Sequence, residues 1–238
     1  SSTLSLDNTY SSVLDVNGFV SIQSGYFDPN GFTINVGGNW YNIFGPSRFV
    51  ETGTRVIFDG SGHQYIYDSE DFDTLESKCG AAIRLENSLT TVNVAHYDYF
   101  SGGWDVLTGT LNVNNLLNVG LWGVWYLNAG GEINVVEESW LDLNGEIHIY
   151  GGTMSCTGNT SYWAWADNAL IEMTAGTLDF NSPGIVLWDT YTLTENISGG
   201  RIRVNGSFSG SNRSDFTPTG GMFEFYGTGD NTITHGAG

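Results

Sequence analysis

The 238-residue chain carries 26 acidic and 7 basic residues, a formal net charge of −19 at neutral pH. Such a surface repels nucleic acid and anionic lipid, which are held by clustered Lys and Arg. No stretch approaches the roughly 20 apolar residues of a membrane helix, and at 40% hydrophobic and 14% aromatic the chain is too apolar for a disordered acidic tail.

Gly numbers 33 against 4 Pro, and Gly, Asn or Ser interrupts every long window. Few windows hold apolar residues at helical spacing, whereas short alternating runs are frequent, so an all-β fold is expected. The opening "SSTLSLDNTY" lacks a basic region followed by an apolar run, so no signal peptide is read there; a removed leader and an internal segment both fit. "GFTINV" at 31 and "GTRVIF" at 53 are the next strands, the second leading into "DGSGHQYI" at 59–66. Beyond it the alternation fades. "YDSEDFDTLESKCG" and "AHYDYFSGGWDVLTG" read as longer loops near 67–105, projecting on either side of a degenerate strand, "GAAIRLEN", at 80.

From residue 109 one pentapeptide returns: "GTLNV" at 109, "GEINV" at 131, "GTMSC" at 152, "GTLDF" at 176, "GRIRV" at 200 and "GMFEF" at 221. The intervals are 22, 21, 24, 24 and 21 residues, the near-fixed period of a solenoid. Third and fifth residues are apolar or Cys (Leu111/Val113, Ile133/Val135, Met154/Cys156, Leu178/Phe180, Ile202/Val204, Phe223/Phe225), and the residue between them is polar. Alternate strand residues face opposite ways, so each copy is expected to bury two and solvate one. The leading Gly suits a corner that needs positive φ. Second strands such as "WLDL" at 140 and "GEIHI" at 145 lie between copies. The expectation is one domain, 1–238, a parallel β-solenoid (β-helix) of about ten coils of roughly 21–24 residues. A sandwich with Gly-rich turns also alternates but does not return one phrase at this period.

The phrases "GFTINVGGNWYN", "GTRVIFDGSGHQYI", "GGTMSCTGN" and "GMFEFYGTGDNTI" resemble the β-solenoid repeats of very long secreted surface proteins of Bacteroidetes-related bacteria. Those proteins often end in a type IX secretion sorting domain, which has no counterpart here. The resemblance implies an extracellular or cell-surface, chiefly structural protein.

"GMFEFYGTGDNTITHGAG" at 221–238 repeats the phrase at 53–66, with Gly227, Gly229, Asn231 and Ile233 answering Gly60, Gly62, Gln64 and Ile66. "STLSLDN" at 2–8 matches "AAIRLEN" at 81–87, with Leu4, Leu6 and Asn8 against Ile83, Leu85 and Asn87, and so reads as the sequel to the final phrase. Uncapped solenoid ends expose strand edges over an apolar core. Either a window on a longer solenoid or a stacking subunit would read this way; the expectation is a subunit or segment of a surface fibre, with adhesion as an added role, joining copies of itself head to tail through Leu4, Leu6, Phe223, Phe225 and Ile233.

Chemistry is less legible. No nucleophile elbow, phosphate loop or dinucleotide fingerprint occurs. Because parallel β-helices also host polysaccharide lyases and glycoside hydrolases, the alternative is a carbohydrate-binding or carbohydrate-degrading protein, but carboxylate pairs are too abundant to point to one. The best acidic clusters are Asp68, Glu70, Asp71 and Asp73, then Glu137 and Glu138; the first could offer calcium several hard oxygens from a loop. Trp122, Trp125, Trp163 and Trp165 are candidate surface aromatics for glycans, other surface proteins or lateral packing, with core filling as the plainer reading. His63, His96, His148 and His235 share no metal spacing and read as polar surface positions, and Cys156 reads as a buried hydrophobe. A Cys79–Cys156 bridge has no support in the spacing.

Overall fold

A computed structural model describes the backbone of all residues except 1, 2, 7–11, 100, 101, 117–122, 138–140, 144, 159–162, 166–168, 182, 183, 188–192, 211–216 and 236–238. The chain divides into two compact units, Ser1–Leu117 and Asn118–Gly238. Each is a parallel β-solenoid with three sides, and no α-helix occurs among the described residues.

In the first unit, one side begins with Thr3–Ser5 on Tyr26–Asp28, and Phe27 is bridged to Phe49. Phe49 packs against Phe72, and that side continues through 70–72 and 92–94 to 110–113. The second side stacks Val13–Val16, Thr33–Val36 and Arg55–Phe58 on 74–77, with 96–99 beyond. The third stacks Val20–Ile22 on Trp40–Asn42, bridged to Ile66, and Gln64–Tyr65 on Ile83–Leu85 and Gly103–Val106.

Two long strands, Glu70–Ser77 and Thr91–Tyr99, serve two sides at once, because each bends at a corner. Glu70 and Phe72 point inward, Asp73 and Thr74 are both half-buried, and Leu75 and Ser77 point inward again. The same break in alternation falls at Ala95–His96. Phe72 pairs with Val94 and Thr74 with His96, which skips the corner residue of each strand.

The interval 67–105 is therefore mostly strand, not loop. Its acidic run failed to alternate because a strand that turns a corner switches the parity of its inward residues. Three anchors also change place. "GFTINV" and "GTRVIF" lie on the second side and "GAAIRLEN" on the third, whereas "STLSL" lies on the side of the recurring pentapeptide. The number of levels accordingly differs slightly from ten. The match between 2–8 and 81–87 joins strands on different sides and is not a true continuation.

In the second unit the pentapeptide side stacks Gly131–Glu137, Thr153–Gly158, Thr177–Asn181, Arg201–Val204 and Met222–Phe225 in register. Leu141–Leu143, Trp163–Trp165, Gly184–Leu187, Ser207–Gly210 and Ile233–His235 form the next side. Val124–Leu127, Glu146–Ile149, Ala169–Met173 and Leu193–Ile197 form the third.

The core follows the pentapeptide rule. Leu111, Val113, Ile133, Met154, Cys156, Leu178, Phe180 and Val204 are fully or almost fully buried. Phe27, Trp40, Phe49, Phe58 and Phe72 form a continuous aromatic cluster in the first unit, with ring centroids 5.0–6.4 Å apart. Corner glycines pack directly on the backbone of the level below. A Cβ on Gly176, whose φ is +79°, would lie 2.6 Å from the carbonyl carbon of Gly151. At the copy starting with Gly131 the positive φ belongs instead to Gly130. The "G-x-G" phrase is a corner too: the Gln64 side chain accepts a bond from Gly60 N–H at 2.8 Å, and Asn231 packs beside Gly227 in the same way.

Candidate functional site

The acidic stretch does not form a metal-binding loop. Glu70 is fully buried, whereas Asp68, Asp71 and Asp73 are half-buried on the outside of the winding. Alternation thus separates Glu70 from the other three carboxylates, and among the described residues no group of three or more His, Cys, Asp or Glu side chains is placed to hold a metal. Asp71 instead accepts a bond from Asn93 (2.6 Å), which accepts one from Asn112 (2.7 Å), a ladder running up the outer face. Asp73 accepts from Gly53 N–H and faces His96 Nδ1 at 3.3 Å. Glu51, Thr52, Asp71, Asp73 and Asn93 line a shallow open groove beside the corner, and no Trp borders it.

Glu70 stands apart. Its Oε2 accepts bonds from Trp40 Nε1–H and Asn42 Nδ2–H, both 2.8 Å, and Oε1 accepts from Asp71 N–H at 3.2 Å. Burial outweighs these bonds and pushes its carboxyl up to about 7. Asn42 Oδ1, beside it, has no partner among the described residues. Glu76 is buried as well, bound by Arg55 (2.5 Å) and Lys78 (2.8 Å). The run is thus partly buried: Glu70 takes an inward position against Trp40 and Asn42 of the preceding winding, whereas Glu76 faces outward beneath Arg55 and Lys78.

Trp125 is 1% exposed and fills the core, which removes it from the surface candidates. It sits inward with Leu127, and its outward neighbour Tyr126 stacks on His148 at 4.6 Å. Trp122 lies outside the described residues, as do Glu138 and the side chains of Glu137, Trp163 and Trp165. The backbone of Trp163 and Trp165 pairs with Leu141 and Leu143 on one level and Ile185 and Leu187 on the next. The aromatic surface that sequence reading missed is on the third side of the first unit. Tyr41 and Tyr67 stack at 4.6 Å and 7°, Tyr65 packs on Tyr67, and Arg84 sits over Tyr65 and binds Asp105. These rings cover one another's faces, so they present edges and hydroxyls and offer little area for sugar stacking. The signal was the outward Tyr in "WYN" and "QYIYD".

His148 occupies an outward strand position, as expected, but is covered. Its Nε2 faces Glu146 Oε2 and its Nδ1 faces Glu172 Oε2, both at 3.1 Å. Each ring nitrogen is committed to a carboxylate, so the group ties two levels together. His63 and His96 are on the surface, at Arg84 and Asp73 respectively, while the side chain of His235 lies outside the described set. Cys79 and Cys156 are free and buried.

Apolar side chains are exposed at inner corners, Leu89 and Ile43 among them, and also at the outermost levels. In the first unit Leu4 is 62% exposed, Leu6, Leu14 and Val16 are half-buried, and with Ile22 and Phe27 they line an open apolar groove. In the second unit Phe223 and Phe225 are half-buried and Ile233 is 65% exposed. Inner members of the same columns, such as Ile202, Val204, Ile34 and Val36, are at most 1% exposed. On the outer face of that last level, Arg203 binds Glu224 and Asp179, and Tyr226 donates to Asp179 at 2.5 Å. No family model, no curated protein and no solved structure matches the chain.

Proposed function

We propose that this chain is a structural element of an extracellular β-solenoid fibre, joined end to end with further copies of itself. The observation that carries the reading is the apolar exposure of inward-pointing side chains at both outermost levels. Leu4 and Leu6 lie on the same kind of side as Phe223 and Phe225, and Val13–Val16 is the next strand round from them, as Ile233–His235 is from Met222–Phe225. Stacking in the register used throughout would set Leu4 and Leu6 on Phe223 and Phe225, and Leu14 on Ile233. Both strand edges would gain backbone partners, and apolar surface would meet apolar surface. A contact between two different faces does not close on itself and so propagates. The acidic surface and the resemblance to secreted surface repeats support the extracellular setting.

The test is sedimentation velocity and negative-stain microscopy of the purified chain over a range of concentrations. Concentration-dependent linear oligomers are expected, and Leu4→Asp and Phe225→Asp should each suppress them while circular dichroism stays β-rich. A chain that remains monomeric at high concentration overturns the reading. Oligomers that ignore both substitutions show that another surface joins the copies, and equally overturn it.

A further inference from the structure

Glu70 is fully buried in surroundings that are those of a core. Trp40 and Asn42 face it from the third side of the preceding winding, and Val92 is its register partner on the next winding. None of these titrates. The ionisable group acting on it is Asp71 on its own strand, whose negative charge opposes a second charge at Glu70. Three N–H donors reach its oxygens and favour the anion, but among the described residues no cation is paired with it, and the neighbouring Asn42 Oδ1 lacks a donor that a protonated carboxyl could supply. Taking a charge without a counter-ion out of water costs more than these neutral donors return, so the pocket holds a neutral acid more readily than an anion.

We propose that Glu70 is a proton latch in the first unit: protonated, it completes the core around Trp40, and its ionisation loosens those windings. Burial and Asp71 both favour the protonated form, against the donor bonds of Asn42 and Trp40. The folded group binds its proton more tightly than the unfolded one, so the stability it contributes is complete below pH 4.5 and is lost as pH rises to about 7. The unfolding constant of the first unit should rise about tenfold per pH unit across that window and level off above it. An acid-tightened module is the device that results.

The experiment is proton–nitrogen NMR of the Trp indoles from pH 5 to 9, with urea unfolding from pH 4 to 8 on the full chain and on Glu70→Gln. The Trp40 indole, which donates to Glu70, should titrate with a midpoint near neutrality. Difference curves between Glu70→Gln and the parent chain should carry the slope described above, since all other groups titrate in both. A Trp40 indole resonance that stays fixed over this range overturns the proposal even if the variant fails to fold. So does a Glu70→Gln chain that keeps the parent's pH dependence.

Discussion

Phe180 and Phe225 occupy the same inward column of the pentapeptide side, one in the interior of the stack and one at its outermost level. Phe180 is fully buried and Phe225 half-buried. A Phe side chain buries about 150–250 Å², and removing it from a packed interior costs about 3–5 kcal/mol. Phe180→Ala should fall in that range, whereas Phe225→Ala should cost less, by about 1 kcal/mol, because part of its surface is already in water. Urea unfolding at protein concentrations low enough to keep the chain monomeric measures both. A further difference should appear at high concentration. If copies join as proposed, the parent chain should gain stability there by mass action, Phe180→Ala should keep that gain, and Phe225→Ala should lose most of it. Equal costs for the two substitutions at low concentration would refute the premise that the outermost level is open.

Two other outcomes follow from the packing. Gly176→Ala places a Cβ against the backbone of Gly151 at positive φ and should destabilise by about 2–3 kcal/mol. Gly62→Ala, with nothing within 4 Å, should stay within about 0.5 kcal/mol of the parent; thermal denaturation of both checks the contrast. Cys79 and Cys156 are both buried, and burial raises the Cys156 thiol well above its usual value. Iodoacetamide should therefore label neither in the folded chain and both in urea, read by mass spectrometry.

The recurring pentapeptide revealed the fold because its inward pair is local: Leu178 and Phe180, or Met154 and Cys156, are two residues apart and apolar in nearly every copy. What stayed hidden depends on distant partners. Glu70 looks like a solvated acid in "SEDFD", and only Trp40 and Asn42, 30 and 28 residues earlier, make it core. Asp73–Thr74 and Ala95–His96 break the alternation because the strands bend there, which disguised two complete levels as loops. Trp125 and Tyr126 are adjacent aromatics, and which of them faces inward was decided by pairing with Ile147 and His148. The residues of the proposed interface, Leu4, Leu6, Phe223, Phe225 and Ile233, are apolar strand positions readable in the sequence, whereas the match of 2–8 with 81–87 that points to the first two joins different sides. The tyrosine stripe is not readable there, since it arises only when 41, 65 and 67 are wound onto one side.

The same Gly-x-Gly bend closes different vertices in the two units: after Arg55–Phe58 it leads from the second side to the third, and after Met222–Phe225 from the pentapeptide side to the next. The interchangeable part is then a single edge with its bend, not a full circuit. Duplicating or deleting one such part during evolution would rotate everything downstream by a third of a lap while leaving each layer's hydrogen bonding intact. Lineages built this way can drift in angular phase without ever unfolding an ancestor, and aligning them by whole laps will misplace their faces.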